Sequence, residues 1–174
     1  MKTEKLKKHS STLRKLVIPK PTIPKSIEGY NLPQVDENLL KWEFVVKQMK
    51  SAKYYWIITS DPLNVPHSVP VWGIWYEDRV FVGGSPKTKW VRNLKVNPNV
   101  SVHLPSPTKV CMIEGKAVML AADALDDETW DLLDSDYKAK YQQFHGSPYI
   151  CVEPRKVLAW DSEILDRMTK WTFE

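Results

Sequence analysis

The sequence predicts a mainly β fold with flanking helices, an α+β class built around a small closed or partly closed antiparallel barrel. Short runs rich in β-branched and aromatic residues alternate with turn formers such as the "DPLN" of residues 61–64. Two longer amphipathic segments show helical spacing. The sequence has neither GxGxxG nor the crossover spacing of a parallel α/β sheet, which argues against a dinucleotide-binding α/β fold.

The first elements in the chain are a linker and a helix. Residues 19–26, "PKPTIPKS", contain three prolines in eight positions and predict an extended linker. We therefore divide the chain into a basic, proline-containing arm (1–28) and a folded domain (29–174). The acid-rich start and broad apolar face of residues 36–53 predict an amphipathic helix.

From residue 54 onward the pattern favours strands over helices. Three antiparallel strands in meander order are predicted for "YYWIITS" (54–60), "HSVPVWGIWY" (67–76) and "VFVGG" (80–84). The remaining predicted elements are a helix (88–96), a hairpin (100–104 and 109–120), a second amphipathic helix (122–144), one or two closing strands (149–160) and a short tail (162–174).

Charge and composition exclude several classes of function. Residues 1–25 hold eight Lys and Arg against one Glu, a net +7, so with +4 overall the other residues carry −3. The arm predicts a solvated or partner-packed tail, although a basic transit peptide is also compatible with it, and no nucleic-acid partner is expected. No apolar run reaches the ~18 residues of a membrane span, so no membrane partner is expected.

The cysteines and histidines point to a cytoplasmic protein without a metal site. Both Cys111 and Cys151 lie in apolar runs, which predicts buried, reduced thiols. The four histidines are scattered without ligand spacing, so we predict no bound metal.

Proline and glycine mark unusual positions in the predicted strands. Pro70 donates no ladder hydrogen bond and belongs at an edge or a bulge. Gly73 and the Gly83–Gly84 pair would let another object approach the backbone, or would simply allow the barrel to curve. The residues alone leave these two interpretations open.

The stretch "GGSPKTKWVRNL" could bind an anion. A glycine pair leaves a strand, and Ser85, Thr88 and Lys89 then bring hydroxyls and an ammonium to a helix N-terminus, where backbone N–H groups are free. The alternative is a solvated, lysine-bearing start of a helix. We call Gly84, Ser85, Thr88 and Lys89 the anion corner. Tryptophans flank it, and an apolar slot beside a phosphate site is what FMN requires.

The long stretch "YYWIITSDPLNVPHSVPVWGIWYEDRVFVGGSPKTKWVRNLKVNPNVSVHL" resembles the core of the pyridoxamine 5′-phosphate oxidase-like, FMN-binding split-barrel family. The resemblance continues upstream through "GYNLP…LLKWEFV" and downstream through "IEGKAV", "VEPRKVLAW" and "TKWTF", covering roughly residues 29–174. It implies an antiparallel split β-barrel that forms a homodimer, with a flavin in a groove between the two subunits.

The resemblance also implies which residues hold the cofactor. Val69, Pro70, Val71 and Trp72 correspond to the strand beside the flavin rings, and Gly84, Thr88 and Lys89 to the phosphate site. Ser85 and Trp90, at the same corner, are also expected to bind the cofactor. Trp160, Lys170 and Trp171 would approach from the partner subunit. The chain departs from the family pattern in three places: Trp90 replaces a basic residue, Ser85 stands one position later than the usual hydroxyl, and Lys170 replaces an arginine.

The expected function is hydride or electron transfer through FMN, with a small molecule as substrate or electron partner and with no side chain assigned to acid–base catalysis. His67 and Tyr55 could face the substrate. The family's relatives also use a deazaflavin coenzyme or haem, so a non-catalytic binding or sensor protein is the alternative. The "RxVLLK" strand of true pyridoxamine phosphate oxidase is absent, so vitamin B6 oxidation is not expected.

Overall fold

The computed structural model describes residues 13–25, 32–33, 35–145, 148–161 and 164–174, with backbone alone for 164–166. Within these residues a 3-10 turn (Asp36–Asn38) precedes three helices, α1 (Trp42–Ser51), α2 (Lys89–Val96) and α3 (Asp127–Tyr141). The strands are β1 (Tyr55–Ser60), β2 (Pro66–Val71), β3 (Gly73–Tyr76), β4 (Arg79–Gly83), β5 (Asn99–His103), β6 (Lys109–Met119), β7 (Tyr149–Asp161) and β8 (Ile164–Thr172).

One antiparallel sheet joins these strands in the order β2-β1-β5-β6-β7-β4-β3. The long strand β7 pairs with β6 on one side and, on the other, with β4 along its first half and β8 along its second half. The two edge strands β2 and β3 are consecutive in the chain, so the sheet curls into a half-barrel. The predicted mainly β, antiparallel split-barrel class is confirmed.

The strand predicted over 67–76 is in fact two strands, which break at Trp72 and lie at opposite edges of the sheet. Gly73 permits this bend, because a Cβ there would lie 2.8 Å from the carbonyl oxygen of Phe81. Curvature of the barrel, one of the two interpretations of this glycine, therefore accounts for it. Pro70 lies in edge strand β2, where a missing N–H is tolerated.

Two other sequence predictions are wrong in their bounds. The helix expected over 36–53 begins only at Trp42, because Leu40 N donates to Thr169 Oγ1 at 2.7 Å and the backbone before Trp42 is extended. The expected tail over 162–174 contains β8, whose Thr169 and Trp171 point into the core while Lys170 points outward. The helices over 88–96 and 122–144 form within their expected ranges, at Lys89–Val96 and Asp127–Tyr141.

The core consists of two clusters on opposite faces of the sheet, since Val80 and Val82 of β4 lie in one and Phe81, between them, lies in the other. The larger one joins α1, α2 and the inward side chains of the strands, including the fully buried Tyr55, Ile57 and Trp171. The smaller one packs α3 against β3, β4 and the start of β7. Cys111 and Cys151 are both buried and free, and burial raises the pKa of each thiol to about 12.

The described part of the N-terminal arm lies on the domain. Leu13 packs on the smaller core cluster, and Leu16 and Ile18 pack on the larger one. Thr22 then pairs with the outer edge of β8, since its N–H and carbonyl exchange hydrogen bonds of 2.8 and 2.9 Å with those of Lys170. The boundary predicted near residue 29 lies outside the described residues and stays a prediction.

Candidate functional site

The anion corner forms at the start of α2. Thr88 is the residue before the helix, and its hydroxyl donates to the carbonyl of Ser85 at 2.7 Å. The Ser85 hydroxyl accepts the N–H of Lys87 at 3.3 Å. Since the Thr88 side chain does not cap the helix, the first-turn N–H groups of α2 have no side-chain acceptor from that residue. These donors, with Lys89, are suited to an anion.

A carboxylate that the sequence analysis did not single out faces this corner. Asp61, at the start of the β1–β2 turn, lies 3.5 Å from Lys89 Nζ through its Oδ2 atom. Its Oδ1 atom accepts the N–H groups of Leu63 and Val65, each at 3.0 Å. The hydrogen bond from Val65, with those from Leu63 and Lys89, lowers the pKa of Asp61 despite partial desolvation.

Gly84 and Trp90 pack against each other. A Cβ at Gly84 would lie 2.1 Å from Cζ2 of Trp90, and the Trp90 side chain is only 5% exposed. The space beside the Gly84 backbone is thus filled by the Trp90 indole. Trp90 departs from the family pattern by pointing into the core, and it leaves the mouth of the anion corner to Ser85, Thr88 and Lys89.

A continuous row of side chains crosses the convex face of the sheet. Cross-strand pairs link Pro70 to Trp56, Trp56 to His103, His103 to Met112, Met112 to Leu158 and Leu158 to Lys170. We call these six residues the outer row. All six are exposed or half-buried, and four of them are apolar or aromatic. Trp160 lies on the same face, opposite Val110.

The predicted cofactor residues therefore fall into two groups. Pro70, Ser85, Thr88, Lys89, Trp160 and Lys170 have accessible surface, as has Trp72 next to the bend. Val69 packs partly against the core, and Val71 and Trp171 lie in the core at 8% and 1% exposure. Trp171 instead makes an edge contact with Trp42, with ring centroids 5.3 Å apart. Their assignment to the cofactor stays a prediction.

The end of the predicted ring-side strand is held by α3, a contact that no sequence pattern indicated. Lys140 Nζ donates to the Gly73 carbonyl at 2.9 Å and to the Tyr55 hydroxyl at 3.0 Å. Tyr141 Oη also contacts the Gly73 backbone, and burial is the main cause that lowers the pKa of Lys140 to about 8. The sequence indicates only that Lys140 and Tyr141 lie near the same end of a predicted helix.

Two predicted substrate-facing residues differ in position. Tyr55 is fully buried and donates to the Met49 carbonyl at 2.6 Å, so it does not face a substrate. His67 is half-buried on edge strand β2, opposite Thr59. Among the described residues no group of three His, Cys, Asp or Glu side chains could hold a metal ion.

An open groove of about 580 Å³ lies near the β1–β2 turn. It runs over the ends of β1, β5 and β6, and none of the twelve predicted residues lines it. Its polar lining includes Ser60, Asn64, Ser101, Lys116 and Arg155.

The described part of the chain has no helix long and apolar enough to cross a membrane.

Solved structures share this fold at low sequence identity. A conserved hypothetical protein of Mycobacterium tuberculosis matches with a TM-score of 0.58 at 17% identity, covering 71% of this chain and 87% of its own. A FAD-binding protein of Mesorhizobium loti matches at 0.56 and 15% identity, covering 78% and 96%. The haem storage protein HutZ of Vibrio cholerae matches at 0.52 and 19%, covering 66% and 91%.

No curated protein sequence matches the chain significantly. A family model does match, that of pyridoxamine 5′-phosphate oxidase, over residues 42–161. This range contains all three helices and the strands from β1 to β7. The chain therefore belongs to the pyridoxamine 5′-phosphate oxidase-like split-barrel family.

Proposed function

We propose that the protein is a flavin-dependent oxidoreductase that acts as a homodimer, with each cofactor between two copies of the chain. The outer row carries this proposal. Pro70 and Lys170 stand at its two ends, five strand spacings apart, which is about 24 Å along the sheet. One small ligand cannot contact both in a single chain. A second copy, packed on the same face, would supply the missing side.

The convex face also supports a dimer through its chemistry. Trp56, Met112, Leu158 and Trp160 keep apolar surface accessible on a sheet face that a monomer would leave in water. A twofold axis through this face would bury it against itself. The same step would bring Lys170 and Trp160 of one copy toward β2 and α2 of the other.

The anion corner fits the tail of a flavin. Uncapped N–H groups of α2, the Ser85 hydroxyl and the Lys89 ammonium are donors for phosphate, while the Thr88 hydroxyl donates to the Ser85 carbonyl. The resemblance favours FMN, and the FAD-binding and haem-binding neighbours make FAD, a deazaflavin coenzyme or haem the alternatives. When bound, a flavin supplies hydride and electron transfer, and this chain's residues would position it and exclude water.

A second candidate function, haem binding without turnover, is favoured by His103. Its Nδ1 atom lies 2.8 Å from the Leu104 carbonyl, which would fix the tautomer and leave Nε2 free as a metal ligand. The imidazole is half-buried in the outer row, stacked parallel to Trp56 at 6.3 Å. A haem held here would also lie on the face proposed for the dimer.

The experiment is to purify the protein, record its visible spectrum and identify the chromophore released on denaturation by mass. Flavin bands, a flavin mass and reduction by NAD(P)H or a reduced deazaflavin in the presence of a quinone acceptor support the oxidoreductase. A Soret band with haem released supports the second candidate. Protein that remains colourless after titration with FMN, FAD and haem overturns both. We place this activity in the cytoplasm, because Cys111 and Cys151 are free thiols.

A further inference from the structure

Asp61 and Lys89 form an ion pair at the very corner that would receive the flavin phosphate. The pair is partly accessible, since the Lys89 side chain is 45% exposed and that of Asp61 is 20% exposed. An anion that reaches Lys89 must therefore approach the Asp61 carboxylate as well. The remaining cations nearby are Lys87 and Arg92, and the Arg92 guanidinium is turned back to donate to the Lys87 carbonyl.

The carboxylate is held in place and cannot easily turn away. Asp61 Oδ1 accepts two backbone N–H groups of its own turn, and Asp61 N and its carbonyl also bond to Val65 and Asn64 at 3.1 and 2.8 Å. Oδ2 is thereby directed toward α2. A fixed negative charge beside the site repels a ligand in proportion to the ligand's own local charge.

We propose that Asp61 is a specificity-determining residue of the anion corner, which disfavours phosphomonoesters such as FMN relative to singly charged phosphodiesters such as that of a deazaflavin coenzyme. This inference rests on the proposed flavin function. A monoester carries between 1.5 and 2 negative charges near pH 7, as phosphorylated side chains do, whereas a diester phosphate carries one. Repulsion from Asp61 is therefore greater for the monoester.

The variant Asp61→Asn tests this with little disturbance of the fold. The amide oxygen of Asn can still accept from Leu63 N and Val65 N, so the turn is kept and only the charge is lost. Asp131→Asn, which removes an exposed carboxylate from α3, is the matched control. Circular dichroism and the melting temperature establish that all variants are folded.

Fluorescence titrations with riboflavin, FMN and the methyl ester of the FMN phosphate, which is a phosphodiester, give the readout. If each unit of ligand charge near Asp61 costs about threefold in affinity, Asp61→Asn raises FMN affinity about five- to tenfold and the affinity of its singly charged methyl ester about threefold. Riboflavin, which has no phosphate, should bind equally to both forms. At 1 M salt, where charges are screened beyond ~3 Å, the differences should shrink toward zero.

Other outcomes are decisive. If the wild type binds flavins but FMN and its methyl ester gain equally or not at all in Asp61→Asn, the inference about Asp61 is wrong and the flavin function stands. A gain for riboflavin as well would show a structural effect instead of a charge effect, and it would also overturn the inference. If none of the three flavins binds any form, the proposed function fails and this inference fails with it.

Discussion

The indole of Trp72 lies parallel to the ring of Tyr141, with centroids 4.6 Å apart and an interplanar angle of 4°. Trp72 is the single residue between β2 and β3, and Tyr141 is the last residue of α3. The Tyr141 hydroxyl contacts the N–H and carbonyl of Gly73 at 2.9 and 2.7 Å. The end of α3 therefore fixes the bend at which the strand crosses from one edge of the sheet to the other.

Removing the Tyr141 hydroxyl should weaken this bend. We expect Tyr141→Phe to keep the stack on Trp72, to leave the buried Gly73 N–H without its acceptor, and to lower the free energy of unfolding by about 1–3 kcal/mol. Urea denaturation measures this change. The exposed Tyr54 provides the control, since Tyr54→Phe should change stability by less than about 0.5 kcal/mol. Equal effects of the two variants would contradict the role given to Tyr141.

Lys140 should make the free energy of unfolding depend on pH between the pKa values of this lysine in the folded and unfolded protein. Burial lowers the Lys140 pKa in the folded protein from 10.5 to about 8, while the attraction of Asp136 opposes the shift. Between these two values the unfolded chain binds more protons than the folded one, so the free energy of unfolding should rise with pH. Below pH 8 both states are protonated and this contribution is constant.

Denaturation of the wild type and of Lys140→Met from pH 7 to 9.5 isolates this effect. The wild type should gain stability relative to the variant as pH rises above 8. Measurements stop below pH 10 because burial raises the pKa of Tyr141 to about 12, and buried tyrosines then act in the opposite direction. Parallel curves for the two proteins would show that Lys140 titrates as an ordinary surface lysine.

Gly84 should be intolerant of any side chain because of Trp90. We expect Gly84→Ala to destabilise the protein by about 1–3 kcal/mol, since its Cβ would overlap the buried indole. Combining it with Trp90→Phe tests the cause, because the smaller ring opens space for the methyl group. The double variant should lose less than the sum of the two single losses. Strictly additive losses would mean that the two residues do not compete for space.

Mixing two variants tests whether the cofactor site is shared between subunits. Lys89→Ala and Lys170→Ala should each reduce FMN affinity about tenfold or more, through loss of one charge-assisted hydrogen bond. If each site takes Lys89 from one copy and Lys170 from the other, a mixed dimer contains one intact site and one doubly altered site. After subunit exchange of equal amounts, about a quarter of all sites should regain wild-type affinity.

The control for this experiment is each variant exchanged with itself, which should recover no high-affinity sites. Failure of the mixture to recover any, with dimers verified by ultracentrifugation, would place both lysines in the same subunit's site or outside it. A monomer in solution would remove the shared site altogether.

The sequence predicted most strands because their residues are β-branched and aromatic, as in "YYWIITS" and "KVCMIEG". It could not show that "HSVPVWGIWY" serves both sheet edges, because that depends on Phe81 coming close to Gly73. The helix start at Trp42 was equally hidden, since Thr169, 129 residues away, holds Leu40 extended. Local patterns specify elements, while contacts between distant residues decide where they stop.

In the candidate site, too, local sequence patterns predict some residues, while others are identified only by contacts between distant parts of the chain. Lys89, Thr88 and Ser85 were recognisable from their position after a glycine pair, and they do meet at the start of α2. Asp61 was visible only as a turn former, because nothing in a sequence places the β1–β2 turn beside α2. Trp90 has the size and polarity of either a ligand contact or a core residue, and only its burial distinguishes them.

The pairing of Thr22 with Lys170 has a consequence for how relatives of this protein are aligned. The hydrogen bonds that join them run mainly between main-chain atoms, so they place few demands on which amino acids occupy the two segments. Related chains could thus lose detectable sequence similarity in these two segments and still keep the same backbone pairing. The family match spans only 42–161, and both partners of this pairing lie outside it. Structural similarity is therefore a better guide than sequence similarity to the boundaries of such domains.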